Sequence, residues 1–177
     1  MATTLNIPLT NMELTPIAKS MIAYRWLKKG VSFIDGYVML KDRGLDHYVS
    51  LHLFCQGMEI ILKTCLLMRD YDTYRPKMGT KKYGHNLEEL ASNVIQVFGV
   101  RPLSDLELAE LQKLNELYAN HELRYATFAE TINHISKATS KVTCNHLYRK
   151  MYAVVRLALR YSQDGINPLK AATRNAE

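Results

Sequence analysis

A histidine, a carboxylate and an arginine within a few positions of one another are the minimum for metal-free acid–base work on a phosphate ester. The chain brings such residues closest together at His121-Glu122-Leu123-Arg124-Tyr125. There Glu122 can orient the His121 imidazole while Arg124 holds an anion; the alternative is a set of helix-end caps and local ion pairs. A second polar set, His52, Gln56, Glu59 and Lys63, recurs at spacings of 4, 3 and 4 inside an apolar stretch. Those spacings put all four on one narrow helix stripe. The stripe reads either as a solvated edge carrying a Glu59–Lys63 pair, or as a polar groove or dimer seam in which His52 and Glu59 contact a bound anion or base. On the second reading His52 joins His121 and Arg124 as a candidate catalytic residue. His85 reads as a residue fixing the turn before Asn86.

Two regions have the chemistry of anion binding. Between Tyr71 and Tyr83 lie Arg75, Lys77, Lys81 and Lys82, with no acid between them and with Tyr74 among the flanking tyrosines. Cations there can pair with phosphates while a tyrosine ring stacks on an unpaired base; the plainer alternative is a solvated loop anchored by its aromatics. Further on, His146, Arg149, Arg156 and Arg160 share a helical stripe. From Arg124 to Arg174 nine lysines and arginines face two acids, whereas positions 86–116 hold six acids and two bases. Charge is thus polarised along the chain. A mobile loop with stacking rings fits a flexible strand better than a bare arginine stripe, so the Arg75–Lys82 segment is the expected principal contact. Arg149, Arg156 and Arg160 are expected to act as a broader attractor. No metal or cofactor is expected: Cys144-x-His146 is half of a zinc pair without a second half, and glycine-rich phosphate loops and nucleophile elbows are absent from the sequence.

The elements that position these residues follow from composition and period. The 177 residues include 47% hydrophobic and 23% charged side chains, with a net charge of +6. These values exclude a disordered or fibrous chain and fit one domain over 1–177, with a core of about 12–163 between frayed ends. Eight glycines and five prolines are few for a loop-rich β-sandwich. Three cysteines do not make a secreted disulfide framework, and Cys55 and Cys65 read as small buried hydrophobes. Positions 1–11 lack the pattern of a signal peptide, and the charged residues within Leu51–Met68 argue against a simple membrane span. The expected location is cytoplasmic, with no membrane contact.

Apolar residues at Ile17, Met21, Tyr24, Leu27, Val31, Ile34 and Val38 predict a first helix with that stripe inward. A second helix, about Asp46 to Met68, is apolar around most of its circumference and should be buried on several sides. Pro76, Gly79 and Gly84 predict a loop after it. Asn86 with Glu89, and Ser104 with Glu107, predict two capping boxes, each opening a helix. Their apolar faces are Leu87, Leu90, Val94 and Val97, then Leu108, Leu111, Leu114, Leu117 and Tyr118. A short helix is expected near Ala126–Ile135. A last helix over about Thr143–Gln163 turns Leu147, Met151, Val154, Ala158 and Tyr161 inward, with Asp164-Gly165 as its stop. The predicted fold is all-α: an antiparallel up-and-down bundle of four main helices plus short extra ones.

The run from His52 through Gln56, Glu59 and Lys63, followed by Gly84-His85-Asn86-Leu87-Glu88-Glu89-Leu90, resembles the HEPN (higher eukaryotes and prokaryotes nucleotide-binding) family. Its members have a Gln-x-x-Glu-x-x-x-Lys helix and then a helix opening on Gly/Thr-His-Asp/Asn-Leu-x-x-Leu. Leu123-Arg124-Tyr125 is similar to a segment found after the fourth helix in some members. The resemblance covers about Asp46 to Phe128 and implies a helical, often dimeric domain. Family roles range from RNA cleavage in toxin–antitoxin and phage-defence systems to RNA or nucleotide binding without catalysis. Catalytic members carry an arginine, four to six residues, and a histidine. Here Arg43 and His47 are separated by three residues and Arg124 and His134 by nine, and no other pair meets the spacing. The resemblance therefore implies a non-catalytic, homodimeric binding module for RNA, nucleotide or a partner protein encoded nearby. A divergent, metal-independent ribonuclease and a purely structural interaction protein are the alternatives.

Overall fold

The first five α-helices begin where a short polar side chain satisfies one of the first free N–H groups. In the computed structural model, which describes residues 14–44, 46–80, 82–99, 101–123 and 142–166, Thr15 caps α1 (Pro16–Asp42) and Asp46 caps α2 (His47–Arg69). Asp70 caps the single turn α3 (Tyr71–Tyr74), which runs into a 3-10 turn at Arg75–Lys77. Asn86 caps α4 (Leu87–Phe98) and Ser104 caps α5 (Asp105–Ala119). α6 (Asn145–Ile166) closes the described chain. The fold is all-α, with four helices of fifteen or more residues, the twelve-residue α4 and two short turns among the described residues.

α2 is the hub. α1 packs along it most extensively, and α3, α4, α5 and α6 also contact it. Phe54, Cys55, Met58, Ile61, Cys65 and Leu66 are fully enclosed. By length and composition alone α2 could cross a membrane, and most of that stretch is buried inside the bundle. The α1–α2 crossing is close because two glycines meet in it. A Cβ on Gly57 would stand 2.9 Å from the Gly30 carbonyl oxygen and 2.7 Å from Ile34 Cδ1; one on Gly30 would stand 2.7 Å from Ile61 Cγ1.

Several expectations need correction. The inward face of α1 is Ala23, Leu27, Gly30 and Tyr37, whereas Ile17 and Met21 are 74% and 60% exposed. Close packing against α2 selects the small residues Ala23 and Gly30, which carry little apolar signal. Leu108 is exposed on α5. The expected loop after α2 begins instead with the turns at Tyr71–Tyr74 and Arg75–Lys77, where Pro76 sits in a first turn that needs no N–H. Only Ser104–Glu107 forms a full capping box. Asn86 accepts from the Glu89 N–H, but the Glu89 carboxylate is occupied by Lys82 and Asn93. α6 continues through Gly165 to Ile166, so Asp164-Gly165 does not stop it. The expected helix at 126–135 lies outside the described residues.

Candidate functional site

In the polar stripe of α2, His52 and Gln56 are half-buried, while the other two residues are withdrawn from solvent. Glu59 and Lys63 are only 7% and 8% exposed, and their ion pair closes at 2.6 Å. Two charges can be removed from water only where further hydrogen bonds satisfy them. Glu59 supplies these from two other elements. Its Oε2 accepts the Tyr118 hydroxyl at 2.5 Å, from the end of α5, and lies 3.0 Å from His85 Nδ1, in the turn before α4. A carboxylate facing Nδ1 selects the tautomer with the proton there, which leaves Nε2 as the acceptor of the neutral ring. His85 thus carries more than a turn-fixing role.

Around this centre the rings form a chain. His52, half-buried, has its centroid 5.8 Å from Tyr118; His85 stands edge-on to Tyr118 at 5.4 Å; His121 stands edge-on to His85 at 5.7 Å. His121 sits just past α5 with φ of +61°, the described non-glycine residue with a left-handed backbone. The His121 N–H bonds the Tyr118 carbonyl and the Glu122 N–H bonds the Leu117 carbonyl, so His121 occupies the position of a Schellman cap where glycine is usual. No described hydrogen bond joins Glu122 to His121; the imidazole pairs with His85 instead. Arg124 lies outside the described residues. The arrangement holds the His85 imidazole against a buried carboxylate at the edge of the bundle. It assembles no group of three or more His, Cys, Asp or Glu arranged for a metal among the described residues.

The basic segment after α2 is more committed than its sequence implies. Tyr83 is buried with its hydroxyl on Asn93 at 3.3 Å, and Tyr74 packs on the core with its ring edge toward Tyr83. Lys77 lies over the Tyr74 ring at 5.2 Å, and Lys82 pairs with Glu89 at 2.9 Å. Arg75 and Lys77 are exposed, and Lys81 is outside the described residues. The tyrosines therefore serve as core anchors.

On α6 the stripe divides. His146 is drawn toward α5: Glu110 accepts from the N–H groups of His146 and Leu147 at 3.0 Å, from Thr143 Oγ1 at 3.0 Å, and faces His146 Nδ1 at 3.0 Å. Glu110 is thus a cap supplied by another helix. Burial pushes its carboxyl up, but the hydrogen bonds from Leu147, His146 and Thr143 outweigh that and hold it below the usual carboxylate range. Arg149, Arg156 and Arg160 are exposed opposite the buried Leu147, Met151, Val154 and Ala158. Arg156 lies 5.2 Å over the exposed Tyr152 ring, and no described carboxylate pairs with any of the three arginines.

Sequence reasoning did not join His85, Tyr118 or Glu110 to their partners; a buried-length apolar helix with an isolated acid is the signal that a distant donor must exist. Neither family models, curated proteins nor solved structures yield a match to this chain.

Proposed function

We propose that this chain is a HEPN-like helical module that binds single-stranded RNA or a nucleotide polyphosphate without cleaving it, and serves a defence or toxin–antitoxin role beside a partner protein. The observation that carries the reading is the outer face of α6. Arg149, Arg156 and Arg160 present three charges without described acid partners, and Tyr152 among them is 59% exposed. Such arginines neutralise phosphates, and an exposed ring gives bases a surface to stack on. The stripe replaces the Arg75–Lys82 segment as the principal contact in this reading, since Tyr74, Tyr83 and Lys82 are engaged within the fold.

One observation favours a second reading, a divergent metal-independent endoribonuclease: His85 is oriented by Glu59 and stands beside His121. Incubation of purified protein with labelled single-stranded RNA separates the two, read on native and denaturing gels. A shifted but intact RNA, lost in the triple variant Arg149→Ala, Arg156→Ala, Arg160→Ala, is the expected result. Cut RNA whose production disappears in both His85→Ala and His121→Ala would replace the binding reading with the enzymatic one.

A further inference from the structure

The turn before α4 and the end of α5 bring together two histidines that are distant in sequence, so residue spacing alone does not pair them. His85 and His121 are both exposed, and their ring centroids stand 5.7 Å apart. Two imidazoles that share one tetrahedral ion, each nitrogen about 2.0–2.1 Å from it, have centroids roughly 5 Å apart. Rotation of exposed rings closes so small a difference.

The support behind the pair separates it from two surface histidines that merely meet. Glu59 Oε2 lies 3.0 Å from His85 Nδ1. That carboxylate is 7% exposed and is itself fixed by the Lys63 ammonium at 2.6 Å and the Tyr118 hydroxyl at 2.5 Å. With its proton on Nδ1, His85 presents the Nε2 lone pair on the side of the ring away from Glu59. A carboxylate behind an imidazole is the arrangement that orients metal-binding histidines and raises their basicity. His121 is fixed as well. The Schellman bonds to the Tyr118 and Leu117 carbonyls hold its backbone at φ +61°, a conformation that glycine would adopt without strain. Among the described residues no hydrogen bond engages its ring, whose contact is with His85. The chemistry favours a cation over an anion, since the pair offers lone pairs and the lysine of the cluster is already bound to Glu59.

We propose that His85 and His121 together bind a divalent ion of the kind imidazoles prefer, Zn²⁺ first among them, with water in the remaining positions. His85 Nε2 is one donor and a ring nitrogen of His121 is the other. The ion ties the turn before α4 to the end of α5, and Glu59 on α2 is the positioning residue for the first ligand. Two protein donors make a weaker site than the four of a closed structural zinc centre. The proposal rests on neither reading of the function and is tested without RNA.

The experiment is calorimetric titration of the 177-residue chain, stripped with a chelator, with Zn²⁺ and in parallel with Mg²⁺. Thermal melting is followed with and without each ion, and circular dichroism confirms the fold of each variant. One Zn²⁺ per chain with a rise in Tm, and no response to Mg²⁺, is the expected result. His121→Gly removes a ligand at a position suited to glycine, and His85→Ala removes the other. Each should weaken Zn²⁺ binding at least about tenfold and erase the rise in Tm. His47→Ala, on the first turn of α2, should bind as the wild type does. A wild type with no heat and no shift in Tm below about 1 mM Zn²⁺ leaves an adventitious ion only and overturns the proposal. So does binding that persists in folded His121→Gly, or that is weakened equally in His47→Ala.

Discussion

Glu110 is the most economical place to break the fold. Its two carboxylate oxygens take the first N–H groups of α6 as well as the Thr143 hydroxyl, and its side chain is only 10% exposed. Glu110→Gln keeps the shape but turns one acceptor into an NH₂ that faces a donor, and it removes a negative charge from a helix N-terminus. Loss of a cap costs about 1 kcal/mol, and the charge at a partly buried helix end contributes up to about 1 kcal/mol more. The variant is therefore expected to lose about 2 kcal/mol near pH 7, a drop in Tm of roughly 4–8 °C for a chain of this size. The pH dependence has a definite sign. The folded carboxyl titrates below its usual 4.5, so its contribution is fully present above that value and is lost as pH falls through the lower folded one. Urea unfolding of both proteins across the acid range should show the gap narrowing below about pH 4. Equal stabilities at neutral pH would refute the capping role; a gap that persists undiminished in acid would refute its electrostatic part.

The other predictions concern packing, strain and thiol chemistry. Gly57→Ala pushes a methyl to within 2.9 Å of the Gly30 carbonyl oxygen, which side-chain motion cannot relieve, and should cost about 1–3 kcal/mol in urea unfolding; a neutral effect would mean that the α1–α2 crossing is loose. His121→Gly relieves a left-handed backbone at a side chain's expense and should raise stability by about 1 kcal/mol, while a loss would show that the ring contact with His85 outweighs the strain. Burial raises all three thiols, Cys55 well above its ordinary value, Cys65 to about 12 and Cys144 to about 11. A thiol reagent near pH 8 should therefore react with none of them until urea unfolds the chain, and rapid labelling of the native protein would contradict their placement.

Much of the fold was legible because helix signals are local. Ser104 and Glu107 lie three positions apart, and both of their capping bonds form. The near-continuous apolar surface of α2 announced the helix on which α1, α3, α4, α5 and α6 converge. The α1 stripe held at Leu27, Ile34 and Val38, which pack on the core, and misled at Ile17 and Met21. The crossing with α2 is built from Ala23, Gly30 and Gly57, which contribute closeness and almost no hydrophobicity. At the site, spacing alone grouped Glu59 with Lys63, but the other partners of Glu59, His85 and Tyr118, stand 26 and 59 positions away. Likewise His146 looked like a member of the arginine stripe, since only tertiary packing brings Glu110, 36 positions earlier, to its N–H. The Tyr74–Lys82 segment shows the reverse. Its composition invited a nucleic-acid reading, but packing buries Tyr83 and pairs the exposed Lys82 with Glu89.

The proposal that α6 holds a polyanion is tested most directly by the salt dependence of its affinity. Wild type and the Arg149→Ala, Arg156→Ala, Arg160→Ala variant would be titrated with labelled single-stranded RNA at several salt concentrations. Each phosphate contact on a single strand contributes about −0.7 to the slope of log affinity against log salt. Removing three arginines should therefore flatten the slope by about 2 and weaken binding at every salt concentration tested. A variant with the wild-type slope and affinity would contradict the assignment of the α6 stripe.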